Sequence, residues 1–314
     1  MKQIAYLLLS GIVGLAACQN KLSKQTDKNI QDIDNIKQET NIDSIKQNAK
    51  LDSVKQVLAK TTDPLNRIKL HQQIIDIKIE GTSPEERCQL FDDYSTEVQK
   101  ELNKLNERES HYIEHYYDYR MDDEGNEKEP HDSIKKKDLF YKKAGIDIID
   151  LGEGIVELTL QTKFYTKYVK QLPKYYQDYW YLIKDAENIA PDACLIITWH
   201  ELSNLLARYE TYVKRYPTQK ELFCRLKDDY KFLQSAFLFG VDNTPTVDFD
   251  SVDKKVKEEW KRFIKTYPDS PTTPFIKEML LLNKYEDMYS IQQKLIRFQE
   301  TSNYPLLKTC TFKR

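Results

Sequence analysis

From about residue 61 onward, apolar side chains recur at the three- and four-residue intervals of an amphipathic helix, and helix-start signals punctuate them. Thr62-Asp63-Pro64 and Ser83-Pro84-Glu85-Glu86 each place a capping side chain before a proline at the first helical position. Thr198-Trp199-His200-Glu201 and Thr218-Gln219-Lys220-Glu221 read as capping boxes. After the first, Leu202, Leu205, Leu206, Tyr209, Tyr212, Val213 and Tyr216 share one helical face. After the second, Leu222, Phe223, Leu226, Tyr230, Leu233 and Phe237 do the same, with Gly240 as the C-terminal cap. The pattern predicts an all-α protein of helical hairpins.

Two stretches interrupt it. Residues 121–137 are highly charged, hold Gly125 and Pro130, and read as an exposed loop. Residues 146–160 are rich in Ile, Leu and Val around Gly152-Glu153-Gly154, and Val156 to Leu160 alternates. This segment is either a small β-hairpin or the start of the next helix.

A phrase recurs where three helices should end. Tyr165-x-x-Tyr168-Val169-Lys170-x-Leu172-Pro173 matches Tyr209-x-x-Tyr212-Val213-Lys214-x-Tyr216-Pro217 and Trp260-x-x-Phe263-Ile264-Lys265-x-Tyr267-Pro268. Each is an aromatic i, i+3 face followed by a helix stop. With Tyr267-Pro268-Asp269-Ser270 as its fullest copy, residues 160–300 resemble the hairpins of tetratricopeptide-like lipoproteins, including those of outer-membrane-protein assembly. The resemblance implies stacked α-hairpins. The prolines lie 44 and 51 residues apart, wider than the 34-residue tetratricopeptide period, so any repeat is irregular.

The N-terminal region follows other rules. Ile33-Asp34-Asn35-Ile36-Lys37-Gln38 recurs as Ile42 to Gln47 and again as Leu51 to Gln56, a period of nine. Nine residues at about 100° each turn a helix half a revolution beyond whole turns, so successive apolar pairs face opposite sides. No single stripe forms over the three copies, and residues 18–60 read as a marginal helix or tether. Ahead of it, Lys2 precedes an uncharged run from Ile4 to Leu15, a length suited to a signal peptide and too short to span a bilayer. The run ends in Leu15-Ala16-Ala17-Cys18, which resembles the bacterial lipobox. That resemblance implies cleavage before Cys18, acylation of Cys18, and palmitate-type chains anchoring the mature protein. Gln19 in place of Asp points toward the outer membrane, facing the periplasm, rather than the inner membrane.

Composition narrows the function classes. The chain carries 48 basic and 50 acidic residues, a balance that offers neither a nucleic-acid surface nor a polybasic patch for lipid head groups. Only 8 glycines leave little material for phosphate loops, whereas 21 tyrosines supply interface-type side chains. Export to an oxidising compartment allows disulfides among Cys88, Cys194, Cys224 and Cys310. Four cysteines permit three pairings, and four buried free thiols fit the sequence equally well.

Chemistry-bearing motifs are few. His111-Tyr112-Ile113-Glu114-His115 matches H-x-x-E-H, the inverzincin signature, and Glu187 follows at a distance where that family places its third ligand. The resemblance implies zinc on His111, His115 and Glu187 with Glu114 as general base, yet the small residues flanking the family's motif are absent. The bland reading is a Tyr- and His-rich interface helix. Asp242, Asp248 and Asp250 form an oxygen-rich stretch without EF-hand spacing, better explained as a turn. His200 reads as a partly buried helix residue. The sequence therefore predicts a non-enzymatic, lipid-anchored envelope protein without cofactor, binding another protein or peptide through an aromatic-rich helical surface. The alternative is a zinc-dependent hydrolase.

Overall fold

The computed structural model describes residues 45–248, 251–282 and 288–308. Residues 45–60 form α1, followed by α2 (Pro64–Ile79) and α3 (Pro84–Arg108). Asp63 caps α2 by accepting from the Asn66 amide at 2.8 Å, and Ser83 and Glu86 close a capping box on α3. Each satisfied cap contributes about 1 kcal/mol. The two helices pack through Ile68, Ile75, Phe91, Val98 and Leu102, all buried.

The tether expectation changes over residues 45–60. There Gln47, Leu51, Val54 and Leu58 form one half-buried stripe at i, i+4, i+7 and i+11, while Ile45 stays 61 % exposed. The half-turn offset between repeat copies is visible in that contrast. The last copy, joined by Gln47 before it and Leu58 after it, is enough to seat the helix on α2. Arg67 fastens the junction by donating to the carbonyls of Leu58 (2.9 Å) and Thr61 (3.0 Å). The remainder of the repeat, residues 18–44, lies outside the described residues.

After the short α4 (Ser110–Glu114), α5 covers Asp132–Ala144. The charged stretch is thus not all loop: it is helical from Asp132, because the His131 ring caps the Ser133 amide and Tyr141 buries the inner face. The hairpin reading of 146–160 holds. Strands β1 (Ile146–Gly152) and β2 (Ile155–Leu160) pair antiparallel around Glu153-Gly154. Asn106 on α3 satisfies both backbone groups of Leu158, accepting at 2.8 Å and donating at 3.1 Å.

Next come α6 (Thr162–Val169), α7 (Lys174–Ala186), α8 (Trp199–Arg215), α9 (Lys220–Arg225) and α10 (Lys227–Phe239). Two minimal hairpins, β3–β4 (240–245) and β5–β6 (247–252), lead to α11 (Lys254–Thr266), α12 (Thr273–Leu280) and α13 (Met288–Thr301). The Thr198–Glu201 capping box forms as expected. The second box does not: Gln219 is the N-cap without a side-chain bond, and Leu226 interrupts the anticipated helix between α9 and α10. Gly240 caps α10 at φ 79°, where a Cβ would lie 2.3 Å from the Thr244 carbonyl oxygen.

Helix α8 touches α7, α10 and α11, which makes it the central strut of this half. The recurrent phrase explains two of its neighbours' ends. Tyr216 closes α8 at φ −127°, ψ 58° and Tyr267 closes α11 at φ −127°, ψ 60°, each amide bonding the fourth carbonyl back. The first copy ends differently, at Lys170 in helical geometry, where Leu172 replaces the tyrosine. Its aromatic residues are mainly core: Tyr168, Tyr209, Trp260 and Phe263 are fully buried. Buried tyrosines repeatedly donate to aspartates, Tyr168 to Asp76 at 2.9 Å and Tyr209 to Asp229 at 3.1 Å. Tyrosine abundance therefore reports core construction more than interface.

Two buried glutamates fix α8 against its neighbours in opposite ways. Glu210 accepts from Ser270 (2.9 Å), Tyr230 (3.1 Å) and Thr272 (3.2 Å), hydroxyls only, and burial pushes its carboxyl above the usual range. Glu259 on α11 is also raised by burial, but Arg262 at 2.8 and 2.9 Å, Ser203 and His200 outweigh that and hold it below the usual range.

Candidate functional site

The antiparallel pair α7 and α8 encloses a cleft of about 330 Å³, at the lower end of ligand-pocket sizes. Its walls follow a common register. Asp178, Tyr181, Leu182 and Asp185 stand at i, i+3, i+4 and i+7 on α7. Arg208, Thr211, Tyr212 and Arg215 occupy the same spacing on α8. One wall is acidic at its two ends and the other basic, with aromatic, aliphatic and hydroxyl groups between. Because the helices run antiparallel, Asp185 meets Arg208 at 2.6 Å and Asp178 meets Arg215 at 3.5 Å.

The floor is built from the core outward. Tyr212 is buried, donates to the Tyr175 carbonyl at 3.1 Å and stacks edge-on against Phe223. The Tyr216 hydroxyl donates to Asp178 at 2.7 Å, so the helix-stop residue of the phrase also becomes a cleft residue. Burial alone would raise Asp178, but hydrogen bonds from Lys174 and Tyr216 and the Lys174 and Arg215 charges hold it below the usual carboxylate range. Burial lifts the Tyr212 phenol above its ordinary value. The cleft thus presents two arginine-paired carboxylates, two guanidinia and three phenols, groups suited to recognition through charge and aromatic contact.

A wider cleft of about 650 Å³ separates α1 from α2, with Ile77 as its apolar side chain among Lys46, Lys50, Asp76 and Glu80. A third, about 220 Å³, lies where Lys55 of α1 approaches His71, Tyr94 and Glu97. Burial pushes the His71 imidazole below its ordinary value, and its Nε2 has no hydrogen-bond partner.

His111 and His115 lie side by side, as their spacing suggested, but the motif does not sit within one regular helix. α4 is five residues long and His115 is its C-cap, so the motif straddles a helix end. The rings of His111 and His115 lie 4.6 Å apart. Each has another neighbour, Tyr119 at 3.3 Å from His111 Nδ1 and Asp118 at 2.8 Å from His115 Nδ1. Glu114 is exposed, and Glu187 closes α7 in an ion pair with Lys184. Among the described residues no three His, Cys, Asp or Glu side chains are grouped to hold a metal ion. Asp242 stands in the β3–β4 turn, while the side chains of Asp248 and Asp250 lie outside the described residues. His200 is exposed rather than partly buried, and bridges to Glu259 at 3.2 Å.

Cys224 is disulfide-bonded, whereas Cys88 and Cys194 are free thiols. Cys88 is half-buried 3.7 Å from the Tyr175 hydroxyl, and burial raises its thiol pKa; Cys194 is exposed. Cys310 and the lipidation candidate Cys18 lie outside the described residues. The cleft itself escaped sequence reasoning, although its signal was present: two i, i+3, i+4, i+7 stripes bounded by like charges on successive helices. No protein-family model matches this chain, and neither does any curated protein or solved structure.

Proposed function

We propose that this chain is a lipid-anchored protein of the bacterial cell envelope whose helical body binds a segment of another envelope protein or peptide in the α7–α8 cleft. The carrying observation is the matched pair of stripes, acidic on α7 and basic on α8, with Tyr181, Tyr212 and Tyr216 between them. Seven helical residues separate like charges by about 10 Å, the distance an extended segment covers in three residues. A bound segment bearing charges at i and i+3 would meet one wall in register, its intervening side chains facing the tyrosines.

The anchor supports the place of action. Leu15-Ala16-Ala17-Cys18 supplies the acylation site, and among the described residues no helix is long and apolar enough to cross a membrane. Gln19 favours an outer-membrane position facing the periplasm. Binding, rather than catalysis, accounts for a cleft whose carboxylates are tied to arginines.

The test is recovery of partners from detergent-solubilised envelopes by the wild-type protein and by Arg208→Glu/Arg215→Glu. A discrete protein retained by the first and lost by the second is the expected result. Equal retention by both would remove the cleft from the function.

A further inference from the structure

Helix α5 turns two unlike faces to its surroundings. Inward, Tyr141 is buried, Asp138 accepts from Arg120 at 2.7 Å, and Lys137 pairs with Glu109 at 2.5 Å. Outward, at about 100° per residue, Lys135, Lys136, Leu139, Phe140, Lys142 and Lys143 share the opposite side. Leu139 is 50 % and Phe140 54 % exposed. Lys135 is paired with Glu129, whereas Lys136, Lys142 and Lys143 have no carboxylate partner among the described residues. The acid on this outward face is Asp132, in the first turn of the helix one turn ahead of Lys136; Glu129 precedes the helix, and from 135 to 143 the charged residues of the face are all lysines.

We infer that the outward face of α5 docks on an anionic lipid surface. Lysines flanking an exposed Leu-Phe pair reproduce the interfacial helix, in which ammonium groups sit among phosphates and the apolar pair enters the head-group boundary. The overall charge balance of the chain hid this local segregation, in which the acids gather at the start of the face and the lysines along the rest of it. The lipid-anchor reading supplies opportunity only: 27 residues from Cys18 to Ile45 reach at most about 90 Å, so the body remains beside the bilayer without a fixed orientation. The α5 face supplies the orientation.

The test uses the unlipidated mature chain, residues 18–314 with Cys18→Ser, so its outcome is independent of acylation and of the α7–α8 cleft. Sedimentation compares vesicles of phosphatidylcholine alone with vesicles holding about three parts in ten phosphatidylglycerol, at about 0.1 M salt, where the Debye length is about 10 Å. The protein should partition onto the anionic vesicles at least about tenfold better, since each lysine at the surface adds about fivefold. Lys136→Glu/Lys143→Glu should lower that partition about tenfold or more, and Phe140→Ser about threefold to fivefold. The thermal midpoints should stay unchanged, because these side chains are exposed. Equal partition onto both vesicle types, no partition onto the anionic ones, or wild-type binding by the reversal variant would each overturn the inference. An acidic protein as the true partner would give the second of these results.

Discussion

The α7–α8 cleft and the outward face of α5 are both rich in charge, yet they are opposite kinds of surface. In the cleft every arginine faces an aspartate across the groove, and the floor continues into the core through Tyr212 and Phe223. On α5, Lys136, Lys142 and Lys143 stand without carboxylate partners among the described residues, around the half-exposed pair Leu139 and Phe140. The difference teaches that net charge summed over a chain says little about recognition; what matters is whether opposite charges are placed across from each other or on different faces. A paired groove selects a shaped, charged segment, while an unpaired cationic face selects a broad anionic surface.

Substitutions can break that contrast in order of expected size. Tyr212→Ala removes a buried ring and its hydrogen bond, and should cost about 3–5 kcal/mol in chemical denaturation. Phe140→Ala, on the other surface, should change stability by less than about 0.5 kcal/mol. If the two cost the same, the cleft floor is not part of the core.

The helix behind the cleft gives a pH signature. Glu210 is raised in the folded state, so its contribution is fully present below the unfolded value of 4.5 and is lost as pH rises through the raised folded value. Glu259 is lowered, so its contribution is present above 4.5 and is lost as pH falls through the lowered value. Denaturation curves across pH should therefore show Glu210→Gln removing an alkaline-side loss and Glu259→Gln removing an acid-side one. Like slopes for both variants would contradict the assignment of hydroxyl-only and guanidinium-paired environments. The smallest effect belongs to the rim. Inverting one exposed pair with Asp185→Arg/Arg208→Asp should alter stability by no more than about 0.5 kcal/mol while changing which segments bind. Binding measured by fluorescence anisotropy with oppositely charged peptides would check it.

The all-helical class was legible because caps and periodicity agreed: Asp63, Ser83 and Thr198 each begin a helix where their hydroxyl or carboxylate predicts it. The hairpin at 146–160 was legible from alternation and Gly152-Glu153-Gly154. Three features were not. Thr218 failed as a cap because the chain enters helix later, at Lys220. Residues 45–60 dock because Leu51 and Val54 of the last copy align with Gln47 before them and Leu58 after them, a packing choice that a nine-residue period does not reveal. Tyrosine abundance suggested interface, whereas Tyr168 and Tyr209 are core residues whose hydroxyls are satisfied by Asp76 and Asp229. Cleft and cationic face alike arise from which helices become neighbours, information carried by no local window.

The most direct measurement places a photo-crosslinking residue at Tyr181 in the cleft of the full-length protein in intact cells. The account predicts one discrete protein adduct that disappears when Arg208 and Arg215 are both changed to Glu. A probe at Tyr181 that yields no discrete adduct, or one that survives the double reversal, would contradict the cleft as the site of partner recognition.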